Sequence, residues 1–437
     1  MRKATLLVAL AILTAGSSVT AEPPAATQPA APAASAPARE LKLKTLWTRT
    51  SDKVNRSYPP VSDGQTLFIA YRNDAGEHFY ALAPDGKELA FSMPTLRDIP
   101  PVLAPGILLV PTTSEIWALS PGTFALLWKA RCENYPSSPA VNADTVVFGE
   151  HGFLRALDIK TGAQRWRVPN PSGMTGATVI VENKIFCADD NAGLAVFDLP
   201  TGKELNRQEI AACTTNPALH HKTLFLGTTK GLLAVDLDLH VLWRFEPPAD
   251  ASIHEVDSFS AGAAVSSYGS KPLPDHYYAT RGAFTAPVVA DGIVYHTFGN
   301  QLLAVDAATG RQKWCYRASA KDVPLDKALA NAEDQGRAFV STRPAPHCEA
   351  KIILPRTPTQ PVLADGVLYI GTDTGITAVD AVTGRELWFC ATGAAVPYPP
   401  AIAGGTLAAA LITGETVGFQ LPPAATATAP APSAKPN

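Results

Sequence analysis

The usual carriers of catalysis are missing from this chain. It has no Cys-x-x-Cys-His for covalent haem, no His-Glu-x-x-His, no Gly-x-Ser-x-Gly and no phosphate loop. No two of its six cysteines are adjacent. Thirty-six basic residues against 39 acidic ones give a net charge of −3. That balance lacks the concentrated positive face a nucleic-acid partner requires. After the first residues, no apolar run approaches the roughly 20 needed to cross a bilayer as a helix, so no transmembrane segment is expected.

The apolar run that does exist stands at the start. Met1-Arg2-Lys3 precedes Leu6 to Leu13, and Val19-Thr20-Ala21 offers a small-x-small cut before Glu22. Residues 1–21 therefore read as a signal peptide, which makes the mature chain periplasmic or secreted. No cysteine lies near the cut, so no lipid anchor is expected. Residues 22–40 and 422–437 consist mainly of Ala, Pro, Thr and Ser. They read as a disordered linker and tail, with too few large apolar groups to offset ordering entropy.

What is present is a repeat. Ala-x-Asp-x-x-Thr-Gly-x-x-x-Trp occurs three times, as Ala156 to Trp166, Ala304 to Trp314 and Ala378 to Trp388. Degenerate copies place the aspartate position at Ala83, Ser120, Asp158, Asp198, Asp236, Asp306, Asp380 and Gln420. Most steps are 37 to 40 residues, and two are 70 and 74. A period near 40 built from short strands signals a propeller, whose blades cannot bury their faces alone. Eight repeats predict an all-β, eight-bladed β-propeller of four-stranded antiparallel blades over residues 41–421. The last repeat stops at Gln420, before its tryptophan strand. Residues 41–50, with Trp47, read as that strand, closing the ring from the N-terminus and removing two open edges.

These alanines, aspartates, Thr-Gly turns and tryptophans resemble the repeat of the pyrroloquinoline-quinone-like (PQQ-like) propeller superfamily. The architecture is similar to the propeller lipoprotein of the outer-membrane β-barrel assembly machinery. The resemblance implies that Trp128, Trp166, Trp243, Trp314 and Trp388 dock between neighbouring blades, and Trp47 joins them if it completes the last blade. Asn206 departs from the pattern. Quinoprotein alcohol dehydrogenases of the superfamily use the same fold to hold PQQ and calcium. Their larger members place adjacent cysteines against the quinone, and none occurs here.

Strands in a meander alternate direction. The Asp-x-x-Thr-Gly turns therefore share one rim, while the turns between second and third strands share the other with the links between blades. The two long steps are insertions in such links, at about 248–283 and 319–357. They leave the same rim on either side of blade six, and loops on a rigid scaffold are where binding residues collect. His254, Tyr268, His276, Tyr277, Tyr278 and Arg281 in the first, with Arg337, Arg343 and His347 in the second, are the candidate partner-binding residues. Aromatic and arginine side chains give much contact area per residue ordered. The plainer reading is that these loops cover the channel mouth.

Other polar features have structural readings. His220 and His221 fall on the rim opposite the insertions, and adjacent strand side chains point apart. Asp189-Asp190-Asn191 reads as a polar turn rather than a calcium site, which needs six to eight oxygen ligands. Cys132, Cys187, Cys213, Cys315, Cys348 and Cys390 permit fifteen full pairings. Cys187 with Cys213 and Cys315 with Cys348 are the pairs within reach, and free thiols remain the alternative. The expectation is a monomeric, non-catalytic envelope propeller that binds a protein, with no cofactor and no assigned catalytic or metal residue. The alternative is a small PQQ-dependent dehydrogenase loaded with PQQ and calcium.

Overall fold

The computed structural model describes residues 39–422, apart from 51–53, 58, 74–75, 91–100, 113, 134–135, 151, 171–174, 190–192, 211–215, 229, 248–285, 299–300, 318–358, 373 and 412. Among the described residues every regular element is a strand, and the strands form eight antiparallel blades arranged as a propeller. Blade 3 shows the plan: Ala140–Val141, Thr145–Glu150, Phe153–Asp158 and Gln164–Pro169 run in order from the axis outwards. The second strands are buried along most of their length, and Thr145–Glu150 and Val367–Gly371 at every position. Both faces of each blade pack against neighbours, so these strands read as continuous apolar runs rather than alternating ones.

The repeated aspartate closes the turn between third and fourth strands. Asp158 Oδ1 accepts from the amides of Lys160 and Thr161 at 3.1 and 3.0 Å and from the Thr161 hydroxyl at 2.9 Å. The Arg165 guanidinium bonded to Asp158, with Thr161 next, pushes that carboxyl down to about 2. Asp306 and Asp380 repeat the same bonds to Thr309 and Thr383. The glycine that follows takes a positive φ, 70° at Gly162 and 69° at Gly310. This left-handed conformation is cheap for glycine alone.

That glycine also makes room. A β-carbon on Gly162 would stand 2.6 Å from the Trp128 ring of the preceding blade. The corresponding distances are 2.7 Å for Gly202 against Trp166, 2.7 Å for Gly310 against Trp243, 2.5 Å for Gly384 against Trp314 and 2.5 Å for Gly86 against Trp47. Each indole N–H donates into the next blade, to Ile159, Leu199, Ala307, Ala381 and Pro84 carbonyls at 2.8 to 3.1 Å.

Asn206 breaks the pattern, and the structure shows what replaces it. The next turn has Leu239 at the glycine position, with φ 71° and no exposed surface. Its side chain joins Val196, Leu224 and Leu233 in the core between blades 4 and 5. Phe124 does the same at the turn of blade 2, with φ 56° and its ring edge-on to Phe68 of blade 1. A left-handed non-glycine residue costs about 1–2 kcal/mol, and burying a leucine returns about as much.

The N-terminal segment touches three blades. Arg39–Glu40 pairs in parallel with Trp388 and Phe389 on the outer edge of blade 7. This pairing falls inside the stretch expected to be linker, since two residues carry no readable pattern. Leu43 is then buried between blades 7 and 8. Thr45–Arg49 pairs antiparallel with Thr416–Gln420 as the fourth strand of blade 8. Trp47 and Arg49 donate to Pro84 and Gly86 of blade 1 at 3.0 and 2.9 Å. Among the described cysteines, Cys132 and Cys390 are free buried thiols. Cys213 and Cys348 lie outside the described residues.

Trp314→Ala should destabilise the protein by about 3–5 kcal/mol in denaturant unfolding. Gly384→Ala should also destabilise it, through the clash with the same indole and the positive φ. In the double variant the methyl loses its clash, so the combined loss should be smaller than the sum. Strict additivity would show that the ring and the glycine do not meet.

Candidate functional site

The nine candidate partner-binding residues, His254 to Arg281 and Arg337 to His347, lie outside the described residues, as do Asp190 and Asn191. The described roots of the two insertions are Phe245 to Pro247 and Ala286 for the first, and Arg317 and Thr359 for the second. His220 ends a first strand and His221 follows in the turn with φ 53°, their rings 4.1 Å apart. That turn lies on the rim opposite the insertion roots.

On the rim that carries the blade links, the top of the seam between blades 2 and 3 holds a charged cluster. Glu150 ends the second strand of blade 3 with its side chain 1% exposed. Arg167 Nε donates to Glu150 Oε1 at 2.8 Å, and its Nη2 donates to Glu133 Oε2 of the blade link at 2.6 Å. Arg155 Nη1 lies 3.8 Å from Glu150 Oε2 and donates to the Arg131 carbonyl at 2.7 Å. The Glu133 amide donates to Glu150 Oε2 at 3.2 Å.

The Arg167 guanidinium also lies 3.6 Å above the Phe153 ring. Arg155 Nε is buried without a hydrogen-bond partner. Two cations, Arg155 and Arg167, thus face two carboxylates, Glu133 and Glu150, and Arg131 contributes its carbonyl. The cluster fixes the link between blades 2 and 3 and presents Phe153 and the exposed Glu133 at its outer side. A flat cation on an aromatic face suits recognition of a carboxylate or a peptide chain. Beneath it, burial first and the Glu150 charge second push the Cys132 thiol up to about 12, so it stays protonated.

A second polar group lies under the same rim at blade 6, near the root of the first insertion. His296, Thr297 and Gln301 are fully buried. The Cys315 thiol donates to Gln301 Oε1 at 3.2 Å. Burial pushes the His296 imidazole down to about 4, so it is neutral near pH 7.

Sequence reasoning missed both groups, although one signal was available. Arg155 occupies the third-strand position filled by Ala195, Leu233, Leu303 and Thr377 in other blades. A charge at an otherwise apolar repeat position must be paired if it is buried. Among the described residues, no group of three or more His, Cys, Asp or Glu side chains is placed to hold a metal ion. Of the described inner strands around the axis, Val102–Ala104, Val288–Ala290 and Val362–Ala364 are aliphatic. A planar tricarboxylate such as PQQ needs cations there, and these residues do not fit it.

The sequence profile of the family described as outer membrane protein assembly factor BamB matches residues 42–244 and 276–345. No curated protein sequence matches the chain. Among solved structures, BamB from Moraxella catarrhalis is 12% identical, with a TM-score of 0.57 over 87% of this chain and 100% of that one. Quinohemoprotein alcohol dehydrogenase from Comamonas testosteroni is 14% identical, with a TM-score of 0.58 over 88% of this chain and 80% of that one. The computationally designed Ika8 protein reaches 0.58 at 12% identity, over 86% of this chain and 99% of that one. At such identities the likeness is one of fold.

Two outcomes follow from the buried charges. Arg167→Ala should cost about 3 kcal/mol in denaturant unfolding, because it leaves Glu150 buried with its closest cation removed; an unchanged midpoint would show that the cluster is solvated. His296 titrates near 6.5 when unfolded and near 4 when folded, so the unfolded chain binds the extra proton between these values. Its contribution is complete above pH 6.5 and should fall by about 3 kcal/mol as pH drops to 4. Melting temperatures measured across that range should fall less steeply in His296→Leu.

Proposed function

Because the chain belongs to the family described as outer membrane protein assembly factor BamB, we propose that it is a non-catalytic propeller of the cell envelope that holds a protein partner in outer-membrane protein assembly. The observation that carries this reading is the rim of blades 2 and 3. There a braced arginine lies on Phe153, beside the exposed Glu133. This is a rigid surface of the kind that forms interface anchors. The insertions are rooted at the same rim, and their residues, among them Tyr277, Tyr278 and Arg281, are proposed as the chain's further recognition surface.

In this reading a signal at residues 1–21 exports the chain to the periplasm or beyond, where it acts as a monomer. No helix among the described residues is long and apolar enough to cross a membrane. The dehydrogenase alternative has the fold but neither adjacent cysteines nor cations on the described inner strands.

Short-range cross-linking in intact cells that express the tagged chain should yield one recurrent adduct with an envelope protein. Substituting Phe153→Ala with Glu133→Lys should weaken that adduct without lowering the melting temperature by more than a few degrees. In parallel, PQQ with calcium should produce no dye-linked alcohol oxidation. No adduct, together with oxidation that depends on PQQ and a melting shift, would overturn the scaffold reading; a ligand at 100 times its Kd adds about 2.7 kcal/mol of stability.

A further inference from the structure

Every blade ends in a fourth strand whose outer edge has no further strand of the same blade to pair with. At blade 7 that edge is occupied: Arg39–Glu40 lies parallel to Trp388–Phe389, and the Leu41 amide donates to the Phe389 carbonyl at 2.8 Å. With this cover, Glu386–Ala391 has only its last residue exposed. Leu387 packs against the same apolar cluster as Leu41. Blade 7 therefore records how an edge of this propeller accepts an added strand.

Blade 2 presents the same edge bare. In Leu126–Arg131, all residues except Trp128 and Ala130 are exposed, with Leu126 and Leu127 at 50% and 51%. The Cys132 amide donates inwards to Ser114, so by the period of two the backbone groups of Lys129 and Arg131 point outwards. Lys129 occupies the place of Phe389, whose carbonyl takes the added strand on blade 7. Blades 4 and 5 also expose a leucine on this edge, Leu205 and Leu242, but of these three only blade 2 has two cations on one side of it. Arg165 and Arg167 of blade 3 are held by Asp144, Asp158, Glu133 and Glu150. Lys313 of blade 6 is held by Asp306, and among the described residues blade 1 offers Glu88–Ala90. Lys129 itself leans on Glu115 at 3.5 Å, its ammonium over the Trp117 ring, on the face of the strand opposite Trp128.

The charge pattern selects the occupant. Leu127, Lys129 and Arg131 alternate on one side of the strand, and cations on an edge repel neutral or basic strands from pairing. An acidic strand instead gains both the backbone ladder and charge complementarity. We propose that the outer edge of blade 2 is a β-augmentation site that takes an extended protein segment of alternating leucine and acidic residues, paired along Leu127–Arg131. This inference rests on the protein-binding reading and names the binding mode and the chemistry of the partner's segment.

A fluorescent nine-residue peptide of alternating glutamate and leucine, with a lysine–leucine peptide as control, tests it by anisotropy at low salt. The acidic peptide should bind saturably and the basic one at least tenfold more weakly. Lys129→Pro removes an outward amide and should abolish binding while the melting temperature holds. Lys129→Glu with Arg131→Glu should reverse the preference between the peptides. Equal binding of both peptides, or wild-type affinity in Lys129→Pro, would overturn the site. So would a loss of affinity in Arg244→Glu, on the edge of blade 5, as large as in the blade 2 variants. The cellular adduct separates the two readings: its retention in Lys129→Pro overturns this site alone, whereas its absence in the wild type overturns the scaffold reading itself.

Discussion

The fit of an indole against a glycine turn is the contact on which the ring depends. One side needs a flat ring with a single N–H to place. The other needs a residue without a β-carbon that also tolerates positive φ. Trp128 on Gly162 and Trp314 on Gly384 meet both needs at once. Leu239, in the turn that follows Asn206, shows that the constraint concerns volume at the seam rather than residue identity. Where the strand gives up its large ring, the turn supplies a large side chain and accepts the strain.

One tryptophan stands apart. Trp388 is buried to 2% exposure, yet its indole N–H has no partner. In five other seams the acceptor is a carbonyl of the following turn. Blade 8 has no such turn, because its third and fourth strands come from opposite ends of the chain, joined by the Gln420 amide donating to Lys44 at 2.8 Å. An unsatisfied buried donor costs about 1–3 kcal/mol, which makes this seam weaker in its core. The parallel pairing of Arg39–Glu40 and the burial of Leu43 fall at the same seam.

The blades were legible in the sequence because one constraint acts at every seam and prints the same residues at the same spacing. Asn206 could not be interpreted from its own repeat, since its explanation, Leu239, lies in the next one. The Glu150 cluster left a trace at Arg155, but its partners Glu133 and Arg167 lie in different elements that only the packing of blades 2 and 3 brings together. Arg39 and Glu40 bond through their backbones, which leave no side-chain signature. The insertion residues follow no period, so composition was the sole guide to them.

The blade that draws on both ends of the chain carries a consequence for synthesis. Thr45–Arg49 is among the first segments a ribosome makes, and its partner Thr416–Gln420 is among the last. At 5–20 residues per second the early strand waits roughly 20–70 s for its mate. During that time Leu46 and Trp47 belong to an edge that any passing strand can take. The seven preceding blades can assemble one after another through local pairing, but the final join is a long-range event with a high loop-closure cost. Closure of the ring is thus the slow step that connectivity, rather than stability, imposes on this chain.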